Sequence, residues 1–129
     1  MIKVLRSMNR YVLVLLLGWG ISGLVSAGDP IEQTFELRIA HGSVPKEMHI
    51  LRVKQGDLVK LRWTTDESMV LHLHGYDIEK KVKPGAVTEF AFKAHATGRF
   101  PINVHDPGEH AHGQSHDEST LVYVEVYPR

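Results

Sequence analysis

Apolar and polar positions alternate with a period of two along most of the chain, and turn residues separate the alternating segments. In 33–40 (QTFELRIA) Phe35, Leu37 and Ile39 share one face; in 58–65 (LVKLRWTT) Val59, Leu61 and Trp63 do so, opposite Lys60 and Arg62. Residues 48–53 (MHILRV) run into a Gly-containing turn, 54–57 (KQGD), and 69–74 (MVLHLH) form another strand-like run. Residues 77–83 (DIEKKVK) are short, polar and edge-like, and stop at Pro84-Gly85. Segment 87–93 places Phe90 and Phe92 on one face, and 99–104 places Phe100, Ile102 and Val104 on one face. The last segment, 120–127 (TLVYVEVY), is apolar on both faces, as a central strand would be. Pro101 lacks an N–H for a ladder, so it predicts an edge position or a bulge at that point. A single helical turn fits only within 92–100 (FKAHATGRF). Seven or eight short strands with turns between them predict an all-β domain, an antiparallel sandwich or barrel.

The first 27 residues break this pattern. Lys3, Arg6 and Arg10 precede an uncharged apolar run from Tyr11 to Val25, and Val25-Ser26-Ala27 fits a small-residue cleavage site. This is the layout of a secretory signal peptide. The alternative, a membrane anchor, asks for about 20 apolar residues, and this run is shorter and thinned by three glycines. The expected division is therefore a signal peptide at 1–27 and one domain at 28–129, periplasmic or secreted, with no stable membrane anchor after cleavage. Removal of the three basic residues turns a neutral chain into a domain with 12 basic and 15 acidic residues, a net charge of −3. No basic run marks a nucleic-acid binder. The chain has no cysteine. Its stability must come from the core, and thiolate chemistry and disulfides are excluded.

Nine histidines in 129 residues are the compositional anomaly. His72 and His74, two apart in a strand, point to the same side, so their imidazoles can converge on one ion. Residues 105–118 (HDPGEHAHGQSHDE) carry no strand pattern and hold His105, His110, His112 and His116 among four acids. His105 follows directly on a strand, which gives it a defined position. Long polar loops on a rigid β scaffold are where function concentrates. Neutral imidazole suits Cu, Zn, Ni and Fe, and Asp77 and Asp106 are candidates to orient imidazole rings from outside the ligand set. The alternative reading is a solvated loop that titrates near neutrality. His41, His49 and His95 occupy ordinary strand or turn positions, and Met48 and Met69 read as core fillers. No nucleophile elbow, phosphate loop or triad arrangement is present.

The order of motifs in 53–105, with GDLV, TDESMVLHLHGYD, KPG and GRFPINVH, resembles the cupredoxin-like domains of secreted bacterial proteins, over about residues 33–127. The resemblance implies a Greek-key β-sandwich of seven or eight strands, with ligands from a strand end and from the loop between the last two strands. His74 in HGY matches the strand-end ligand. His105 stands where blue copper proteins carry their cysteine, and the loop behind it keeps His110, His112 and His116 without Cys or Met. A blue or thiolate-bridged site is thereby excluded. The implied centre is made of imidazoles only: His74 and His105, with His110 or His112 and with His72, binding copper as Cu(II), with zinc as the second candidate. The expected role is copper binding, delivery or sequestration, with the metal ion and another exported protein as partners. Rival readings are a metal-free interaction module on the same sandwich, and an enzyme with an open metal position.

Overall fold

A computed structural model describes residues 28–105 and 119–129; the segments 1–27 and 106–118 lie outside the described residues. The elements are β1 (Glu32–Ile39), a short 3-10 turn (Lys46–Met48), β2 (Ile50–Lys54), β3 (Leu58–Thr65), β4 (Met69–Leu73), β5 (Ile78–Val82), β6 (Thr88–Lys93), β7 (Gly98–His105) and β8 (Ser119–Tyr127). Every alternating segment of the sequence is a strand. The segment 92–100, where a helical turn would fit, holds none, and the one short helical turn among the described residues lies at 46–48.

The strands form two sheets, one of three strands in the order β1-β3-β6 and one of five in the order β2-β8-β7-β4-β5. The chain passes repeatedly from one sheet to the other, so the apolar faces of both meet in one core. Leu37, Ile39, Val59, Leu61, Trp63 and Phe90 come from the smaller sheet, and Leu51, Val53, Leu71, Leu73, Ile102, Val122 and Val124 from the larger. The fold is thus the expected β-sandwich, with a difference in strand direction. β1 runs parallel to β3, and β2 parallel to β8. In both pairs an intervening strand lies in the opposite sheet, so the chain returns in the same direction.

β8 is a central strand and β5 an edge strand, as their composition predicts. Pro101 lies in β7, which is flanked by β8 and β4, so it does not sit at an edge. The bulge alternative fits instead: the β7–β8 register shifts between Ile102 and Asn103, immediately after the proline. The shift leaves Leu121 without its own partner on β7 and lets two consecutive residues, Leu121 and Val122, both be buried.

At the opposite end from this bulge the termini are held by a buried carboxylate. Asp57, 1% exposed, accepts from the backbone N–H groups of Ile31 (3.2 Å) and Lys54 (3.0 Å), from the Gln33 amide (2.7 Å) and from the Arg129 guanidinium. Arg129 also donates to the carbonyls of Gln55 and Asp29. Burial works to raise the pKa of Asp57, but the N–H donors of Lys54 and Ile31, the Gln33 amide and the Arg129 charge outweigh it and leave it below the ordinary value.

Candidate metal centre

The site is built on the outer face of the larger sheet. In β4, Met69, Leu71 and Leu73 point into the core, so the period of two sends Val70, His72 and His74 outward. β4 pairs antiparallel with β7, with His72 opposite Asn103 and Val70 opposite His105. Directly opposed residues share a face. His72, Asn103 and His105 therefore stand on one surface, and His74 joins them just beyond the last ladder pair, its N–H donating to the Pro101 carbonyl (3.1 Å).

The turn after β4 fixes where His74 lies. Gly75 has φ +83° and Asp77 has φ +52°, so the chain reverses through two left-handed residues. Gly75 is also a point of close approach: a Cβ built on it would fall 2.6 and 2.8 Å from the ring atoms Cδ1 and Cε1 of Phe100. Phe100 in turn meets Tyr76 edge-on, with centroids 4.9 Å apart, and Tyr76 packs on Phe92 at 4.7 Å and His95 at 4.8 Å. The Tyr76 hydroxyl donates to the Ala96 carbonyl (3.3 Å), and burial pushes its pKa above the usual phenol value. A wedge of aromatic rings thus braces the turn from beneath.

His72, His74 and His105 each bring a ring nitrogen within 4.8 Å of the others, and all three are half-buried. The His72 and His74 ring centroids are 4.0 Å apart, and those of His72 and His105 are 5.9 Å apart. An ion equidistant from three nitrogens at the largest spacing would lie about 2.8 Å from each, roughly 0.7 Å beyond a metal–imidazole bond of about 2.1 Å. Small rotations of side chains that are only half-buried close that gap. Three imidazoles with no carboxylate among them suit Cu(II) or Zn(II) and not Mg²⁺ or Ca²⁺.

Of the residues singled out in the sequence, the fold brings together His72, His74 and His105. His110, His112, His116 and Asp106 lie outside the described residues; the segment that carries them begins directly after His105. Asp77 is exposed in the turn. The other described histidines are engaged elsewhere. His49 Nε2 lies 3.1 Å from the Val44 carbonyl, His95 packs on Tyr76, and the backbone N–H of His41 donates to Asp66 (3.0 Å). Met69 is buried in the core and Met48 packs against it, as core fillers do.

A residue that composition did not mark belongs to this neighbourhood. Asn103, 7% exposed, has its Nδ2 3.2 Å from His74 Nε2 and accepts at Oδ1 from the Thr120 hydroxyl (3.0 Å). Its signal in the sequence was a polar amide two residues before His105 in an otherwise apolar strand, hence on the same face.

No family model matches the sequence, and no curated protein matches it. Solved structures do match in three dimensions. A heme-copper terminal oxidase dimer aligns at TM-score 0.57 and 19% identity, over 80% of this chain and 68% of that one. The periplasmic domain of subunit II of cytochrome oxidase (CoxB) of Bradyrhizobium japonicum aligns at TM-score 0.51 and 15% identity, over 74% and 83%. A copper binding protein in its apo form aligns at TM-score 0.54 and 8% identity, over 74% and 87%. At these identities the likeness establishes the fold, which is cupredoxin-like, here with no cysteine in the chain.

Proposed function

We propose that this chain is an exported copper-binding protein that holds its ion with the imidazoles of His72, His74 and His105. The observation that supports the reading is the convergence of these three rings from two different strands onto one half-buried patch. Copper is preferred to zinc because an imidazole site binds Cu(II) more tightly when both ions reach it. The cupredoxin-like fold agrees, since one protein of similar structure is a copper binding protein and others belong to copper oxidases. His110, His112 and His116 are candidates to complete the coordination, because their segment follows directly on His105.

The role that follows is binding, delivery or sequestration of copper. Blue-copper electron transfer needs a thiolate, and the chain has none. Among the described residues no helix is long and apolar enough to cross a membrane. Export rests on the basic and apolar leader of residues 1–27, and periplasmic material from expressing cells should begin at Gly28.

The test is a titration of the metal-free protein with Cu(II), followed by calorimetry and electron paramagnetic resonance. One tight equivalent with nitrogen hyperfine structure is expected, lost in a His72→Ala, His105→Ala variant that still folds. Weak binding indifferent to that substitution would instead favour a metal-free docking module.

A further inference from the structure

Which nitrogen of a histidine carries a proton is set by what the other nitrogen meets. For His74 that neighbour is Asn103. The Thr120 hydroxyl donates to Asn103 Oδ1 (3.0 Å), which leaves the amide Nδ2 on the His74 side, 3.2 Å from Nε2. With the amide nitrogen donating across this contact, Nε2 accepts and the ring proton sits on Nδ1. The three groups make a directed chain, Thr120 to Asn103 to His74, anchored on β8 and β7 at the bulge where the register shifts. Asn103 is 7% exposed, so its amide is not simply bathed in solvent.

Nε2 faces Asn103, so Nδ1 is the nitrogen assigned to the ion, and a proton there conflicts with binding. A neutral imidazole bound by one nitrogen keeps its proton on the other. With the ion on Nδ1 the proton moves to Nε2, which then needs an acceptor where Asn103 now presents a donor. The Asn103 side chain itself offers a local solution. The carboxamide turns over, so that Oδ1 accepts from His74 Nε2 and Nδ2 donates to Thr120 Oγ1. A hydroxyl both donates and accepts, so Thr120 satisfies either orientation without moving. No other residue type at position 103 offers both roles in the same shape: aspartate only accepts and leucine does neither.

We infer that Asn103, braced by Thr120, is a positioning residue for the metal centre whose amide reverses between the metal-free and metal-loaded states. It sets the tautomer and ring orientation of His74 in each. This rests on the reading that His72, His74 and His105 bind the ion. It adds that the affinity of that site is set partly by a pair of uncharged residues that never touch the metal. The loss of such an outer partner typically costs about 10- to 100-fold in affinity.

The experiment is long-range nitrogen–proton NMR on the ¹⁵N-labelled protein, metal-free and loaded with Zn(II) as a diamagnetic probe, together with Cu(II) and Zn(II) affinities of the wild type, Asn103→Leu, Asn103→Asp and Thr120→Val. The metal-free wild type is expected to show His74 protonated at Nδ1, and the Zn(II) form at Nε2. Asn103→Leu should lose the metal-free preference and bind about tenfold or more weakly. Asn103→Asp, a permanent acceptor, should favour the Nε2–H form before any metal is added and retain most of the affinity. Thermal melts of the metal-free variants identify any that fail to fold. The inference is overturned if His74 keeps one tautomer in both states, or if folded Asn103→Leu binds both ions like the wild type. Wild-type binding that survives His72→Ala with His105→Ala, or no binding at all, overturns the ligand assignment itself. The metal-free tautomer would then still report whether Asn103 governs the ring.

Discussion

Replacing Gly75 by alanine is expected to destabilise the protein by about 2–5 kcal/mol, through two separable costs. The first is backbone strain. Gly75 has φ +83°, and an L-residue there pays about 1–2 kcal/mol. The second is steric. The new methyl would lie 2.6 and 2.8 Å from two ring atoms of Phe100. That ring has little room to retreat toward Tyr76, which it already meets edge-on at 4.9 Å. Overpacking of this kind costs about 1–3 kcal/mol. Urea unfolding followed by tryptophan fluorescence measures the sum, and a fall in Tm of roughly 10 °C or more should accompany it. A double-mutant cycle separates the parts. In a Phe100→Ala background the steric cost disappears, so Gly75→Ala should cost only the dihedral share of about 1–2 kcal/mol. A loss below about 0.5 kcal/mol in the wild-type background, which is the range of ordinary surface substitutions, would refute this account of the turn. So would an equal loss in both backgrounds. Since His74 immediately precedes Gly75, Cu(II) affinity should weaken along with stability.

Asp57→Ala should cost about 3–5 kcal/mol, because it strands the Arg129 guanidinium in a largely buried clasp, and chemical denaturation at neutral pH checks it. The pH dependence has a definite sign. The folded pKa of Asp57 lies below the unfolded one, so its stabilisation is complete above the unfolded value of about 3.9 and is lost as pH falls through the folded value. The wild type should therefore lose more stability than the variant on acidification below about pH 4, and parallel curves would contradict the assignment. Truncating a histidine of the cluster, His72→Ala, should lower Cu(II) affinity by about tenfold or more, a loss of about 1.4 kcal/mol, while His95→Ala and His41→Ala leave it unchanged in the same calorimetric titration. Leu61→Ala, at a position with 0% exposure between the sheets, should cost about 2–5 kcal/mol in a urea melt without altering copper stoichiometry.

What the sequence by itself determined is everything that depends on neighbours within one strand. A period of two is a local property of extended backbone, so alternation placed the strands, and it assigned Leu37, Ile39, Val59, Leu61 and Trp63 to the core. The same parity put His72 and His74 on one side of β4, and the polar composition of β5 marked an edge. What only the tertiary structure decided is which strand lies beside which, and in what register. Alternation says that a strand has an inner and an outer face, but it is silent on the partner across the ladder. β4 lies against β7, and their register sets His72 opposite Asn103 with His105 two pairs further on, on the same face. That is why a histidine 31 residues beyond His74 belongs to the same cluster, while His95, much nearer in sequence, turns to Tyr76. The parallel pairings of β1 with β3 and β2 with β8 have the same origin, since they follow from which sheet each intervening strand joined. Asn103 shows the limit most clearly. As a residue type it is an unremarkable amide in a strand, and only the meeting of three strands gives it His74 on one side and Thr120 on the other.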